Sequence, residues 1–344
     1  MHSATVVPAR RKIAFACFSL ILVLVFVGGL ELLVRAAGHR PWRTAADGLS
    51  VSPGGRLYVQ DDVVGYTQLP GEYEVTLQTG YTFRVTHLPS GLRVTGPPAN
   101  QPERDQRDEV WIFGCSFTYG LTINDDETFP WLLQERFPRH RFSNFGVNGY
   151  GTVQSLIQFQ EALKNKSPAV AIVAYAGFHD DRNTFSRSRR KYVAPWNRLG
   201  PMAMPQARLA ADGEVKYSWT RVRYMPFPFM KQSALVDLVE TVYNEVERGL
   251  LKSQEVSRAI MLDMRDLARE HGATFVVAGI SDHPRTGGLL EYVAERDISA
   301  VDISLDLADP QFNNLPHDPH PSALANQKFA TTLETYLRDE HILR

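Results

Sequence analysis

Three apolar runs constrain the fold of this chain more than any other feature. Residues 110–113, 169–176 and 274–280 are apolar at nearly every position, not at every second one. A strand with that pattern is buried on both faces, as in a parallel sheet covered by helices. Helical spacing fills the gaps. Residues 129–137 and 233–270 read as amphipathic helix. Residues 322–338 read as a closing helix, with Ser322 as N-cap and Leu324, Phe329, Leu333 and Leu337 as its apolar stripe. Residues 300–305 suit a short further strand. Strands alternating with helices predict an α/β domain over residues 109–344, with a parallel sheet between two helical layers.

Upstream the pattern changes. Residues 13–34 are apolar except for Ser19 and Glu31 and a Gly28-Gly29 pair. As a helix they would extend about 33 Å, enough to cross a hydrocarbon core. Arg10, Arg11 and Lys12 precede them, which favours a cytoplasmic N-terminus over residues 1–12. The expectation is a signal-anchor helix at 13–35, with everything beyond it outside the cytoplasm, as for a single-pass inner-membrane protein facing the periplasm. A cleaved signal is the alternative, but no small-residue cleavage site follows the apolar run. Residues 36–108 read as a linker and a β-hairpin neck: Tyr73, Val75 and Leu77, then Tyr81, Phe83 and Val85, alternate around Thr79-Gly80. The polar, proline-containing stretch 96–108 marks a boundary.

With 37 Lys and Arg against 38 Asp and Glu, no global basic excess draws the chain to nucleic acid. Two cysteines, Cys17 and Cys115, are too few for a disulfide scaffold or a cysteine zinc site. No cofactor or metal is expected, although His179, Asp180, Asp181, His317, Asp318 and His320 are ligand types.

The first apolar run leads directly into Gly114-Cys115-Ser116-Phe117-Thr118-Tyr119-Gly120. A serine at the carboxyl end of a parallel strand is exposed at the sheet edge, and the N–H groups after it can face an oxyanion. Near the other end stands His317-Asp318-Pro319-His320-Pro321-Ser322. A serine hydroxyl needs a base at neutral pH, and the base needs an orienting acid.

Four blocks in order resemble the SGNH, or GDSL-like, hydrolase superfamily over residues 109–338. They are Gly114–Gly120, then Asn144-Phe145-Gly146-Val147-Asn148-Gly149-Tyr150-Gly151, then Ala176-Gly177-Phe178-His179-Asp180, then Asp318-x-His320-Pro321-Ser322. The resemblance implies a flavodoxin-like three-layer fold and a serine esterase, with Ser116 as nucleophile, His320 as base and Asp318 as its partner. It implies an oxyanion hole from the N–H groups of Ser116 and Gly149 and a third donor. The sequence departs from the family at Cys115, where the family has Asp, and at His179, where it has Asn. The acid spacing is D-x-H instead of D-x-x-H. His179 and Asn183 are therefore both candidates for the third donor.

Residues 182–231 form a basic, aromatic insert whose acids are only Asp212 and Glu214. Arg182, Trp196, Trp219 and Arg223 are its candidate substrate contacts, for an acyl ester on a glycan or lipid; packing of the aromatics on one another is the alternative. Two other functions use the same residues: transfer of an acyl group to or from a surface polysaccharide, and glycan binding or assembly by a decayed site.

Overall fold

The computed structural model describes residues 9–43, 49–97 and 107–344. Most of the 96–108 boundary and residues 44–48 of the expected linker lie outside those residues. In chain order the helices are α1 (Ala9–Ala36), α2 (Ser116–Tyr119), α3 (Phe129–Arg136), α4 (Thr152–Leu163), α5 (His179–Asn183), α6 (Arg187–Val193), α7 (Ala234–Leu250), α8 (Ser253–Glu270), α9 (Pro284–Ala294) and α10 (Ala323–Asp339). The strands are β1 (Leu49–Ser52), β2 (Tyr58–Asp61), β3 (Gly65–Gln68), β4 (Gly71–Leu77), β5 (Thr82–His87), β6 (Asp108–Phe113), β7 (His140–Asn144), β8 (Val170–Tyr175), β9 (Ala203–Leu209), β10 (Val215–Arg221), β11 (Thr274–Gly279), β12 (Ser299–Asp302), β13 (Asn313–Asn314) and β14 (Asp318–Pro321).

The chain divides into two units, Met1–Ala46 with Met225–Val246, and Asp47–Tyr224 with Glu247–Arg344. In the first, α1 contains a 27-residue stretch, Arg10–Ala36, long and apolar enough to cross a membrane or to be a signal sequence.

The second unit is built on a five-stranded sheet in the order β12-β11-β8-β6-β7, parallel throughout. Numbered along the chain that order is 5-4-3-1-2, the flavodoxin-like arrangement. The three apolar runs are its central strands β6, β8 and β11. Alternate side chains leave opposite faces of a strand, and both faces are dry. Val110, Ile112, Ile172 and Ala174 pack with Phe129, Leu133, Phe329 and Leu333 from α3 and α10. Trp111, Phe113, Val173 and Tyr175 pack with Leu156, Phe159, Ile260 and Leu289 from α4, α8 and α9. Ser322 caps α10 by accepting the Ala325 N–H at 3.2 Å. Leu324 does not join the stripe; it is exposed, because the 3.6-residue repeat from Phe329, Leu333 and Leu337 reaches back to Ala325 and Asn326. The predicted helical region 233–270 is two helices, broken where Lys252 turns left-handed (φ 48°).

The neck holds more structure than one hairpin. β4 and β5 pair as expected, Val75 opposite Phe83. β1 joins β4 from within the expected linker, and β2 and β3 form a second hairpin. These strands and residues 185–204 of the insert share a third core that includes Tyr58, Tyr66, Val75, Phe83, Tyr119, Val147, Tyr150 and Met204.

Two buried polar side chains tie the neck to the loop after α2. Arg93 is fully buried. It donates to Asp125 Oδ1 (2.8 Å) and to the carbonyls of Tyr119 (2.7 Å), Gly120 (2.5 Å), Ile123 (2.8 Å) and Arg84 (3.2 Å). His87 Nδ1 donates to the Leu69 carbonyl (2.7 Å), so neutral Nε2 accepts from the Tyr119 hydroxyl (2.9 Å). Burial lowers its pKa to about 4.

Two predictions follow from these contacts. Arg93→Met strands the carbonyls and Asp125, so it should destabilise the fold by about 3–5 kcal/mol in denaturant unfolding of the full chain in detergent. His87 binds its proton less readily folded than unfolded. Stability should therefore fall as pH drops from about 6.5 to about 4, by about 3 kcal/mol in total. The difference in unfolding free energy between the native chain and His87→Asn, measured across that range, isolates this slope from other titrating groups. A pH-independent difference would contradict it.

Candidate active site

Ser116 opens α2 at the carboxyl end of β6, beside the point where the strand order reverses. Ligands bind in that crevice in open α/β sheets. The N–H groups of a first helical turn have no intrahelical acceptor. Gly114, just before, admits no side chain: a Cβ there would collide with the Thr118 side chain and lie 3.2 Å from the Ala174 carbonyl. Cys115 is wholly buried.

The structure brings Ser116, His320 and Asp318 together. His320 Nε2 lies 2.9 Å from Ser116 Oγ, and His320 Nδ1 lies 2.5 Å from Asp318 Oδ1. The same carboxylate oxygen accepts the His320 backbone N–H at 2.9 Å. The D-x-H spacing is accounted for by β14. In an extended strand residues i and i+2 share a face, so Asp318 and His320 point the same way. His317 is elsewhere: it stacks on Tyr81 (4.9 Å between centroids) and bonds Thr79 Oγ1 (3.0 Å). Burial alone would raise the Asp318 carboxyl, but the hydrogen bond from the His320 ring, its charge and its backbone N–H together bring it below the usual value.

The turn at residues 146–151 runs beside α2. Asn144 links them, donating to the Thr118 carbonyl (3.0 Å) and accepting the Gly146 N–H (2.9 Å). Carbonyls along the turn are held from outside. Gln68 bonds Gly146 O (2.9 Å), Tyr66 bonds Asn148 O (2.8 Å), Arg189 bonds Gly149 O and Arg182 bonds Tyr150 O (2.8 Å). Gly149 has φ +82°, and a Cβ there would sit 2.5 Å from the Tyr66 hydroxyl, so only glycine fits. Tyr66, Gln68 and Arg189 were not singled out in the sequence. The turn-forming stretch Asp61-Asp62-Val63-Val64-Gly65 between alternating residues was the available signal for the hairpin that carries Tyr66 and Gln68.

The two third-donor candidates separate. Asn183 does not serve: its Oδ1 accepts the Val153 N–H (3.0 Å), and its Nδ2 donates to Thr152 Oγ1 (2.6 Å) and Ser257 Oγ (2.9 Å). It fixes the start of α4 instead. His179 is fully buried, and burial, with the charges of Arg182 and Arg189, holds it neutral, far below its ordinary pKa. Its Nδ1 faces the Ala176 N–H at 3.5 Å, so the proton is on Nε2, which has no hydrogen-bond partner among the described residues.

The insert residues also separate. Trp196 packs on Tyr66 (4.4 Å) and Tyr58 (5.2 Å), and Trp219 donates to the Val63 carbonyl (2.6 Å); both brace the neck instead of facing Ser116. Arg182 stacks on Phe178 (4.3 Å), and Arg223 is exposed.

A cleft of about 330 Å³ is lined by Phe117, the residue after Ser116, by Phe178 and by residues after β11 and β12, among them Asp282, His283, Arg285 and Asp306. Phe117 meets both Phe178 (5.6 Å) and the His320 ring (5.7 Å) edge-on. Below it, Asp180 accepts from Ser257 Oγ (2.6 Å) and the Tyr175 hydroxyl, with Arg285 at 3.7 Å. Burial pushes its carboxyl up to about 6 against those contacts.

The chain is similar to solved structures that include a lipolytic protein of the G-D-S-L family and an esterase. The crystal structure of TesA aligns with 67% of this chain and 99% of its own, at 13% identity and a TM-score of 0.40. A putative lipolytic protein of the G-D-S-L family from Desulfitobacterium hafniense aligns with 67% and 100% (12% identity, TM-score 0.38). The psychrotrophic esterase EstA from Pseudoalteromonas sp. aligns with 68% and 98% (10%, 0.40). No family model and no curated protein matches the chain.

Asn183→Ala leaves the Val153 N–H and the Thr152 hydroxyl without their Asn183 partner and takes one of the hydrogen bonds from Ser257. It should lower stability by about 1–3 kcal/mol while the folded fraction keeps its ester turnover. Loss of turnover at unchanged stability would return Asn183 to the site.

Proposed function

We propose that the chain is a membrane-anchored, extracytoplasmic serine esterase of the SGNH type that hydrolyses an O-acyl ester on a glycan or lipid. The observation that carries this reading is the continuous relay Ser116 Oγ, His320, Asp318 at the carboxyl edge of the sheet. Asp318, held below its usual pKa, is ionised at neutral pH and keeps the His320 proton on Nδ1. Nε2 is then the acceptor facing Ser116.

In this mechanism His320 takes the Ser116 proton as Oγ attacks the ester carbonyl. The tetrahedral oxyanion is met by the N–H groups of Ser116 and Gly149. His179 Nε2–H is the third donor, neutral and without another partner among the described residues. Fixing the turn by its carbonyls leaves its N–H groups preset for the oxyanion, which is where such sites gain most of their rate. Collapse passes the proton from His320 to the leaving alcohol. Water, deprotonated by His320, then releases the acyl group and restores Ser116. The aromatic cleft between Phe117 and Phe178 receives one side of the ester.

The apolar helix α1 supports the anchor, and Arg10, Arg11 and Lys12 at its start support a cytoplasmic N-terminus, which leaves the catalytic unit on the periplasmic face of an inner membrane.

The test is hydrolysis of short acyl esters by the full chain in detergent. Ser116→Ala should cost on the order of 10⁶ in kcat, and Asp318→Asn about 10⁴. Hydrolysis retained in Ser116→Ala would contradict the assignment.

A further inference from the structure

Helix α7 has its faces reversed relative to an ordinary surface helix. Val239, Val242, Tyr243, Val246 and Leu250 fall at helical spacing on one arc about 100° wide, and they are 45–80% exposed. The arc beside it, through Glu240, Glu247 and Arg248, is polar and turned inward. Glu240 is 1% exposed. Glu247 accepts the Arg187 N–H (2.6 Å) and pairs with Arg190 (2.9 Å), and Arg248 pairs with Asp181 (2.8 Å). Thr241 and Glu245 are exposed as well, but the widest arc the helix leaves open is the apolar one, which water does not favour.

What lies against that arc is indicated by the start of the helix. Glu31, near the end of the apolar span, accepts from Ser233 Oγ (2.7 Å) and from the backbone N–H groups of Ala234 and Leu235 (both 2.9 Å), and pairs with Arg35 (2.6 Å). Arg35 also bonds the Gln232 carbonyl (2.7 Å), the Trp42 N–H bonds the Met230 carbonyl (3.1 Å), and the Lys231 ammonium sits 5.5 Å over the Trp42 ring. The first turn of α7 is thus fastened where α1 leaves the apolar core, among the tryptophan and basic residues that favour a membrane interface. Phe229, just before α7, is 75% exposed.

We propose that α7 lies in the interface of the bilayer that α1 crosses, with the Val239–Leu250 arc among the acyl chains. An interfacial helix buries its apolar face about 5–10 Å deep, so the chain meets lipid at two places, one across the membrane and one along it. The inference rests on α1 being an uncleaved anchor.

The test labels the full chain, in a Cys17→Ser background where Cys115 is buried, with an environment-sensitive nitrobenzoxadiazole probe at L22C, V242C, V246C or T335C. The protein is reconstituted in phosphatidylethanolamine–phosphatidylglycerol vesicles with or without brominated acyl chains. Labels at 22, 242 and 246 should emit to the blue and lose intensity with brominated lipid, while 335, on the exposed face of α10, should do neither. Quenching at 22 without quenching at 242 and 246 overturns the α7 proposal and leaves the anchor standing. Blue-shifted but unquenched labels at 242 and 246, with disulfide cross-linking between copies of the same variants left unlabelled and oxidised, mean that a second chain covers the arc and also overturn it. No quenching at 22 removes the anchor reading and this inference with it.

Discussion

Arg93 brings a guanidinium into an interior with no solvent, and every N–H direction of that group is used. Burying an unpaired charge is prohibitive, so the loop at residues 119–125 must curl its carbonyls around this side chain for the chain to fold at all. That loop is the direct continuation of α2, so the same cage sets where the helix bearing Ser116 ends. Asp125 closes the cage and also accepts the Thr86 N–H (3.1 Å), which fastens the loop to β5. The neck is therefore part of the frame of the site and more than a spacer before it.

The same logic recurs at the 146–151 turn. Tyr66 and Gln68 from the neck and Arg182 and Arg189 from the insert grip its carbonyls. A peptide whose carbonyl is fixed on one side has its N–H fixed on the other. The neck and the insert thus hold one short turn beside the serine, the insert through Arg182 and Arg189. Trp196 belongs with Tyr58 and Tyr66 for the same reason.

How much was legible in the sequence depended on whether the physics was local. The sheet was legible because β6, β8 and β11 are dry on both sides, which leaves continuous apolar runs. Ser116 was readable as a serine after a buried strand, and Asp318 and His320 through the family resemblance; the strand β14 that brings the last two to one face was not. Arg93 was not, since four of its five acceptors are backbone carbonyls, which carry no residue code, and its one carboxylate, Asp125, is 32 residues away. Asn183 looked like a free amide after a strand, but its partners Thr152 and Ser257 come from two other helices. The cleft residues 282–285 and 305–308 follow strand ends yet match no motif. For α7 the sequence disclosed amphipathicity but not which arc faces in; that is decided by Glu31, Arg187, Arg190 and Asp181, all distant in the chain.

The central claim is that His320 and Asp318 activate Ser116. It is tested most directly by treating the full chain with a fluorophosphonate and mapping the adduct by peptide mass spectrometry. The account predicts a single stoichiometric adduct on Ser116 that is lost in His320→Ala. No adduct on a folded chain, an adduct on another serine, or labelling indifferent to His320 would contradict it.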